Sequence, residues 1–135
     1  MAYEAGELLV VTYKDGKEWA NTTMRTPGAA TGLQLSTYKN RAGIRADGAD
    51  LLFVTAKVVD DKGVFVAMAT DVITFSVNGP AEILSTDNGD PTDYVAFPSK
   101  ERKAFAGLAL ANVKAKAGAT EPITVTAEAK GLKAG

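Results

Sequence analysis

The sequence predicts an all-β fold, a β-sandwich with a β-hairpin at its N-terminus. Three observations predict it. Short apolar segments alternate with a period of two, residues typical of turns separate them roughly every 8–12 residues, and no segment of about ten residues fits helical spacing better than strand spacing. With 135 residues, the chain is long enough to form one domain with a substantial core.

The hairpin is predicted from two β-rich segments around an Asp-Gly pair. Residues 7–13 are rich in β-branched and aromatic side chains, and residues 18–26 alternate in the same way. Between them, Asp15 and Gly16 are typical of a two-residue hairpin turn, because glycine accepts a positive φ. These two segments are therefore expected to pair as antiparallel strands.

A boundary is predicted after the hairpin. Residues 26–32 contain one Pro and two Gly and interrupt the alternation, which is typical of a link between domains. We therefore predict a hairpin over residues 1–28, as the end of a preceding domain, and a sandwich over residues 29–135. Because a two-stranded hairpin is marginal alone in water, we expect it to be attached loosely here and to pack on another domain or on a second copy of the chain.

The strand around which the sandwich is organised is predicted over residues 51–59. It is apolar on both faces for part of its length, which is typical of the centre of a sheet, and it lies between the Asp47-Gly48 turn and a turn over residues 60–63. Further strands are expected near residues 33–37, 70–77, 81–86, 102–116 and 123–129. In the long strand near the C-terminus, Gly107 is expected to mark a bulge or a close backbone approach, and the alanine-rich residues 104–117 are the one place where a helix would fit.

Composition excludes several classes of function. The chain contains no Cys and no His, which removes thiolate chemistry, the commonest general base and the commonest metal ligand. The net charge is −1, and the small basic cluster of Arg102 and Lys103, near Lys100, is expected to be a solvated strand edge. We therefore expect no nucleic-acid partner and no membrane partner, and no cofactor or metal.

The irregular residues 87–99 contain the acidic candidates for a ligand site. Asp87, Asp90 and Asp93 lie within seven residues and carry the oxygen ligands that calcium prefers. Their spacing differs from that of an EF-hand, and the same residue types are the ones that tight turns require. We favour the turn interpretation. Catalysis by paired carboxylates is disfavoured as well, because acidic groups in turns lack the burial that tunes a general acid.

Aromatic side chains are the second class of candidate. Trp19 in the hairpin and Tyr94 in the irregular stretch, with Phe97 nearby, are of the kind that stacks on sugar rings. Aromatic residues are only 7% of the chain, so packing in a core or between domains is the favoured role. A sugar-binding platform remains the alternative.

Several motifs along the chain carry a family resemblance. They are Tyr3-Glu-Ala-Gly-Glu-Leu8, Tyr13-Lys-Asp-Gly-Lys17, Thr26-Pro-Gly28, Ile44-Arg-Ala-Asp-Gly48, residues 50–60, Gly79-Pro80, Asn88-Gly-Asp-Pro-Thr92 and Arg102-Lys-Ala-Phe-Ala-Gly-Leu-Ala-Leu110. These motifs resemble the immunoglobulin-like domains of glycoside hydrolase family 2 enzymes, notably bacterial β-galactosidase-like proteins. The N-terminal segment resembles the closing hairpin of one such domain, and the remainder resembles the C-terminal domain that follows it. A more distant resemblance is to the bacterial immunoglobulin-like repeats of invasin-type adhesins.

The resemblance implies an immunoglobulin-like sandwich that is not itself an enzyme. The family's catalytic residues lie in a separate barrel domain, and no part of this chain resembles that barrel. The expected role is an accessory domain that packs against other domains of the same polypeptide, with self-association through the hairpin as a further option. A carbohydrate-binding module near the barrel is the alternative. The resemblance also implies that the parent enzyme is periplasmic or secreted in a bacterium.

Overall fold

The fold is all-β. The computed structural model describes residues 4–38 and 43–135, and these residues contain no α-helix. In them, no helix is long and apolar enough to cross a membrane. The described residues form nine strands: β1 (Glu7–Lys14), β2 (Lys17–Arg25), β3 (Gly32–Thr37), β4 (Leu51–Val59), β5 (Val72–Asn78), β6 (Ala81–Asp87), β7 (Glu101–Lys103), β8 (Leu108–Ala115) and β9 (Thr124–Ala129).

The first two strands form a separate antiparallel sheet. Leu8 pairs with Met24 and Glu7 pairs with Arg25. The two turn residues, Asp15 and Gly16, both have positive φ, at 53° and 74°, as expected for the turn that matches the twist of a tight hairpin. The predicted N-terminal hairpin is thus confirmed.

The other seven strands form a two-sheet sandwich. One sheet has the order β3-β4-β8-β6 and the other β7-β5-β9. Strand β4 has the bounds predicted from its apolar pattern and pairs on both edges, with β3 and β8. The inner faces of both sheets supply the core, which includes Leu33, Ala56, Val58, Ile73, Phe75, Ala109, Ala111 and Ala127. The predicted β-sandwich is confirmed.

The long strand expected over residues 102–116 is two strands in different sheets. Strand β7 pairs with β5, whereas β8 pairs with β4 and β6. The chain changes sheets at a turn where Ala106 and Gly107 have φ of 48° and 73°. A Cβ on Gly107 would collide with the carbonyl of Val66, so the expected close backbone approach is confirmed.

The alanine residues of β8 lie in a β-sheet and not in a helix. Ala109, Ala111 and Ala115 alternate with larger half-buried residues and point into the sandwich, where a small side chain lets the two sheets approach. The helix considered for residues 104–117 is therefore wrong. The period of two decides the structure here over the helical propensity of alanine.

Candidate functional site

Four of the five candidate site residues lie together in the chain between β6 and β7. Asp87 ends β6, and Asp90, Asp93 and Tyr94 follow it in the loop. Trp19 lies on β2, in the separate hairpin sheet. The loop is therefore the candidate site that the structure assembles, and Trp19 belongs to another surface.

The first two carboxylates of the loop accept hydrogen bonds from nearby backbone amides. Asp87 Oδ1 accepts from the N–H of Asn88 and of Gly89, at 2.7 and 3.0 Å. Asp90 Oδ1 accepts from the N–H and the hydroxyl of Thr92, at 2.8 and 2.7 Å. These contacts are the local turns that Asp favours, and they hold the loop in one conformation.

A buried guanidinium anchors the loop. The side chain of Arg102 in β7 lies between the sheets, and the residue is only 2% exposed. It donates five hydrogen bonds, matching its five N–H groups. The acceptors are Thr86 Oγ1 (3.3 Å), the Thr86 carbonyl (2.6 Å), the Val95 carbonyl (2.8 Å), the Ala96 carbonyl (3.1 Å) and Asp93 Oδ2 (3.1 Å).

The expectation that Arg102 belongs to a solvated basic edge is therefore wrong. In β7 it alternates with exposed Glu101 and Lys103, and this alternation turns its side chain inward. Burial of a guanidinium is tolerated because every donor has an acceptor and one acceptor is a carboxylate. Lys100 and Lys103 keep the exposed positions that the sequence predicts.

Asp93 is the carboxylate of the loop that is paired with this guanidinium. Its Oδ1 accepts from the N–H of Val95 at 2.9 Å, and its Oδ2 accepts from Arg102 and from Asn88 Nδ2. The hydrogen bond from Val95, followed by those from Arg102 and Asn88, lowers the pKa of Asp93, although burial acts in the opposite direction. Asp93 is therefore anionic at neutral pH and suited to hold the loop, not to donate a proton.

The loop presents aromatic side chains to solvent. Tyr94 is 97% exposed, and Phe97 is also exposed, with its ring centroid 6.0 Å from the guanidinium carbon of Arg102. Trp19 on the hairpin is 74% exposed, with the ammonium of Lys14 6.0 Å from its ring. These rings are accessible for contact, on two separate surfaces.

A second structural carboxylate was missed by the sequence, which indicated only a turn at residues 60–63. Asp60 is buried and accepts from the N–H groups of Gly28, Lys62 and Val64, at 2.8, 2.9 and 2.8 Å. The bond from Gly28 is the largest cause of the lowered pKa of Asp60. Asp60 therefore ties the end of the hairpin segment to the end of β4. No local pattern could show this contact, since it joins residues 32 positions apart.

The polar contacts of this loop are structural, because they are made within the chain. In residues 4–38 and 43–135, no group of three or more acidic residues is placed to hold a metal ion. The carboxylates of the loop are engaged by amides and by a guanidinium, while its aromatic rings face outward. Such a loop offers a surface for contact with a neighbouring domain or a ligand.

The sandwich matches a known protein family. Residues 33–135 match the family described as glycoside hydrolase family 2 C-terminal domain 5. A beta-galactosidase of Bacteroides ovatus, BoGH2A, is 33% identical over 131 residues, which are 97% of this chain and 15% of that protein. The chain therefore spans only a small part of this curated relative.

Solved structures give the same result. A glycosyl hydrolase family 2 member from Bacteroides cellulosilyticus superposes with a TM-score of 0.84 at 32% identity, over 98% of this chain and 18% of that one. A beta-glycosidase from Bacteroides vulgatus has the same fold, with a TM-score of 0.89 at 22% identity, over 98% of this chain and 17% of that one. The chain belongs to the glycoside hydrolase family 2 C-terminal domain 5 family.

Proposed function

We propose that this chain is a non-catalytic accessory domain of a β-galactosidase-type glycoside hydrolase, and that it packs against other domains of the same polypeptide. The hairpin carries this proposal. It would be the end of the preceding domain, residues 1–28, next to the sandwich of residues 29–135. The family match begins at residue 33, whereas the Bacteroides relatives match nearly the whole chain, hairpin included.

The hairpin has an apolar face that is not covered by any part of the chain that the structure describes. Leu8 and Met24 form a cross-strand pair and are 60% and 66% exposed, and Val10 lies on the same face. The opposite face carries the ion pair between Glu7 and Arg25, at 3.1 Å, and it also exposes the apolar side chains of Leu9, Tyr13 and Trp19. Exposed apolar strand faces of this kind indicate contact with another protein surface. The rest of the preceding domain is the surface that the proposal assigns to it.

Hydrogen exchange tests this assignment in the chain as it stands. We expect the amides of β1 and β2 to exchange much faster than those of β4, because the hairpin is exposed on both faces and the strands of the sandwich are packed. Size-exclusion chromatography of the same sample reports on self-association through the hairpin. Protection of the hairpin in a monomer, equal to that of β4, would contradict loose attachment.

A carbohydrate-binding module is the second candidate function, and the loop between β6 and β7 favours it. Tyr94 and Phe97 are exposed on a loop that Arg102 holds from below. A loop whose backbone is already held in one conformation loses little entropy on binding. This arrangement would let a sugar ring stack on the loop.

Calorimetry separates the two candidates. We expect no saturable heat when galactosides or plant polysaccharides are titrated into the chain, because the accessory role requires no ligand. Saturable heat that disappears in the Tyr94→Ala variant would favour the carbohydrate-binding role and overturn the structural one.

A further inference from the structure

A single proline separates the hairpin from the first residue that the sandwich holds. The hairpin ends where Thr26 donates its N–H to the Gly6 carbonyl, at 2.9 Å, and its hydroxyl accepts from the Gly6 N–H, at 3.0 Å. Further along the chain, the Gly28 N–H donates to Oδ2 of Asp60 in the sandwich, at 2.8 Å. Between these two anchored residues lies only Pro27, which is half-buried. The link between the two parts is therefore very short.

Proline leaves this link with little conformational freedom. The ring fixes the φ of Pro27 at about −65° and confines the preceding Thr26 to extended conformations. The hydrogen bonds between Thr26 and Gly6 restrict that residue further. The ψ of Pro27 is then the main backbone rotation left between the two anchors, and it sets the direction of the Gly28 N–H. The hydrogen bond to Asp60 therefore fixes the last free rotation of the link.

The carboxylate of Asp60 is itself held in one position. The residue is 5% exposed, and its Oδ1 accepts from the N–H groups of Lys62 and Val64, at 2.9 and 2.8 Å. Its own N–H donates to the Val64 carbonyl at 2.9 Å. The turn after β4 thus holds Oδ1 and leaves Oδ2 directed at Gly28. Because hydrogen bonds to a carboxylate are shorter and stronger than those between neutral groups, this contact resists rotation of the link.

We propose that Pro27 and Asp60 form a rigid joint that holds the hairpin in one orientation relative to the sandwich. In the described residues, nearly every position of β1 and β2 is exposed, so packing of these strands does not set that orientation. Asp60 is the positioning residue, and Pro27 limits the rotations that it has to fix. The attachment is then loose in packing and fixed in direction. Fast exchange of the strand amides of the hairpin is compatible with such a joint.

The joint has a consequence for the parent enzyme. If the hairpin ends a preceding domain, the joint sets the angle between that domain and the sandwich. A direction fixed in advance lowers the entropy that is lost when two domains pack together. This consequence rests on the proposed function, whereas the joint itself is a property of the chain as it stands.

Spin labels measure the orientation directly. The chain contains no Cys, so Lys17→Cys in the hairpin and Ser76→Cys on the exposed face of β5 introduce the only labelling sites. Double electron–electron resonance then reports the distribution of distances between the two labels. We expect one narrow distribution in the chain with no further change. A broad distribution, as for two units on a flexible linker, would overturn the joint.

Two variants release the joint in different ways. In Asp60→Asn, the side chain has one acceptor oxygen instead of two, so it cannot accept at both the turn and Gly28. In Pro27→Gly, Asp60 is intact and the link gains backbone rotations. We expect each variant to widen the distance distribution at least about twofold. The matched control is Asp61→Asn, the same change at the exposed neighbouring residue, which should leave the width unchanged.

Exchange of the Gly28 amide completes the test. The residue is exposed, so the hydrogen bond to Asp60 is the contact that protects its amide, and Asp60→Asn should speed exchange at least about tenfold. Pro27→Gly leaves the sandwich intact and decides the question if Asp60→Asn disturbs the turn. An unchanged width in Pro27→Gly, or equal widening by Asp60→Asn and Asp61→Asn, would overturn the joint. That result leaves the accessory role standing, whereas saturable heat with sugars overturns that role and leaves the joint.

Discussion

The two sides of the sandwich, where the edges of the two sheets face each other, are bridged in different ways. Between β6 and β7, the guanidinium of Arg102 bridges the sheets and holds the loop over the gap. Between β3 and β9, the C-terminal tail bridges the sheets by backbone hydrogen bonds alone, from Lys133 to Thr31 and Leu33 and from Gly135 to Ala127. Arg102 is buried on the first side, whereas Leu35 and Val125 on the edge strands of the second side are half-buried.

The difference teaches what each kind of closure needs. A charged group between two sheets stabilises only if all its donors find acceptors, so the loop must adopt one conformation around it. Backbone hydrogen bonds between a tail and an edge strand require only that the tail is extended, and they can stop at any residue. Removal of one hydrogen-bonding group should therefore lower the free energy of unfolding strongly on the Arg102 side and only slightly on the tail side.

The largest effect is expected from Arg102→Met. Methionine has no donor, so the carbonyls of Thr86 and Ala96 lose the hydrogen bonds that the guanidinium donates. The carboxylate of Asp93 loses its cationic partner and keeps only the hydrogen bonds from Val95 and Asn88. We expect a loss of about 3–5 kcal/mol in the free energy of unfolding, measured by urea denaturation. The matched control, Lys103→Met on the exposed face of β7, should change it by less than about 0.5 kcal/mol. Similar losses in both variants would mean that the guanidinium does not hold this side.

A smaller effect is expected on the tail side from Lys133→Pro. Proline removes the N–H that donates to the Thr31 carbonyl, and the tail loses one of its contacts with β3. We expect a loss of about 1–2 kcal/mol by urea denaturation. Lys133→Ala keeps the N–H, so its free energy of unfolding should stay within about 0.5 kcal/mol of that of the original chain. Equal stability of the Pro and Ala variants would contradict closure by the backbone ladder.

Acid should weaken the Arg102 side through its carboxylate. The pKa of Asp93 is lowered in the fold, first by the Val95 N–H and then by Arg102, so its ionised form contributes stability. That contribution is complete above the ordinary Asp pKa of about 3.9 and is lost as the pH falls below it. We expect Asp93→Asn to be less stable than the original chain at pH 7 and to lose less stability between about pH 5 and pH 2. Parallel pH profiles for the two proteins would contradict this role.

The sequence predicts those strands and turns that are determined by a few neighbouring residues. Strand β4 follows from its apolar run between two turns, and the hairpin follows from the Asp15-Gly16 pair, because each signal lies within a few residues. The turns of the Asp-rich loop also follow from residue types that lie close together in the sequence. The division of residues 102–116 between two sheets is not visible, because residues 104–111 are all Ala, Phe, Leu or Gly and their composition does not change at the turn. The buried positions change from even to odd numbers at this turn.

The closures of both sides depend on contacts that no local pattern contains. Burial of Arg102 depends on carbonyls that the loop brings to it, and only its place between two exposed residues of β7 hinted at an inward side chain. The tail bonds to β3 about a hundred residues earlier, at Thr31 and Leu33. Such contacts follow from the assembled fold, so they are the part of the candidate site and its surroundings that the sequence alone could not predict.

The smallest effect is expected from Tyr94→Ala, and it separates the surface of the loop from its anchor. Tyr94 is 97% exposed, so its loss should change the free energy of unfolding by less than about 0.5 kcal/mol. Phe97→Ala is the matched comparison, because that ring lies over Arg102 and should contribute about 0.5–1 kcal/mol. Thermal and urea unfolding of both variants measure the difference. If the two variants lose the same stability, Tyr94 is part of the anchor; if only Phe97 matters, the Tyr94 ring is free to serve a contact outside this chain.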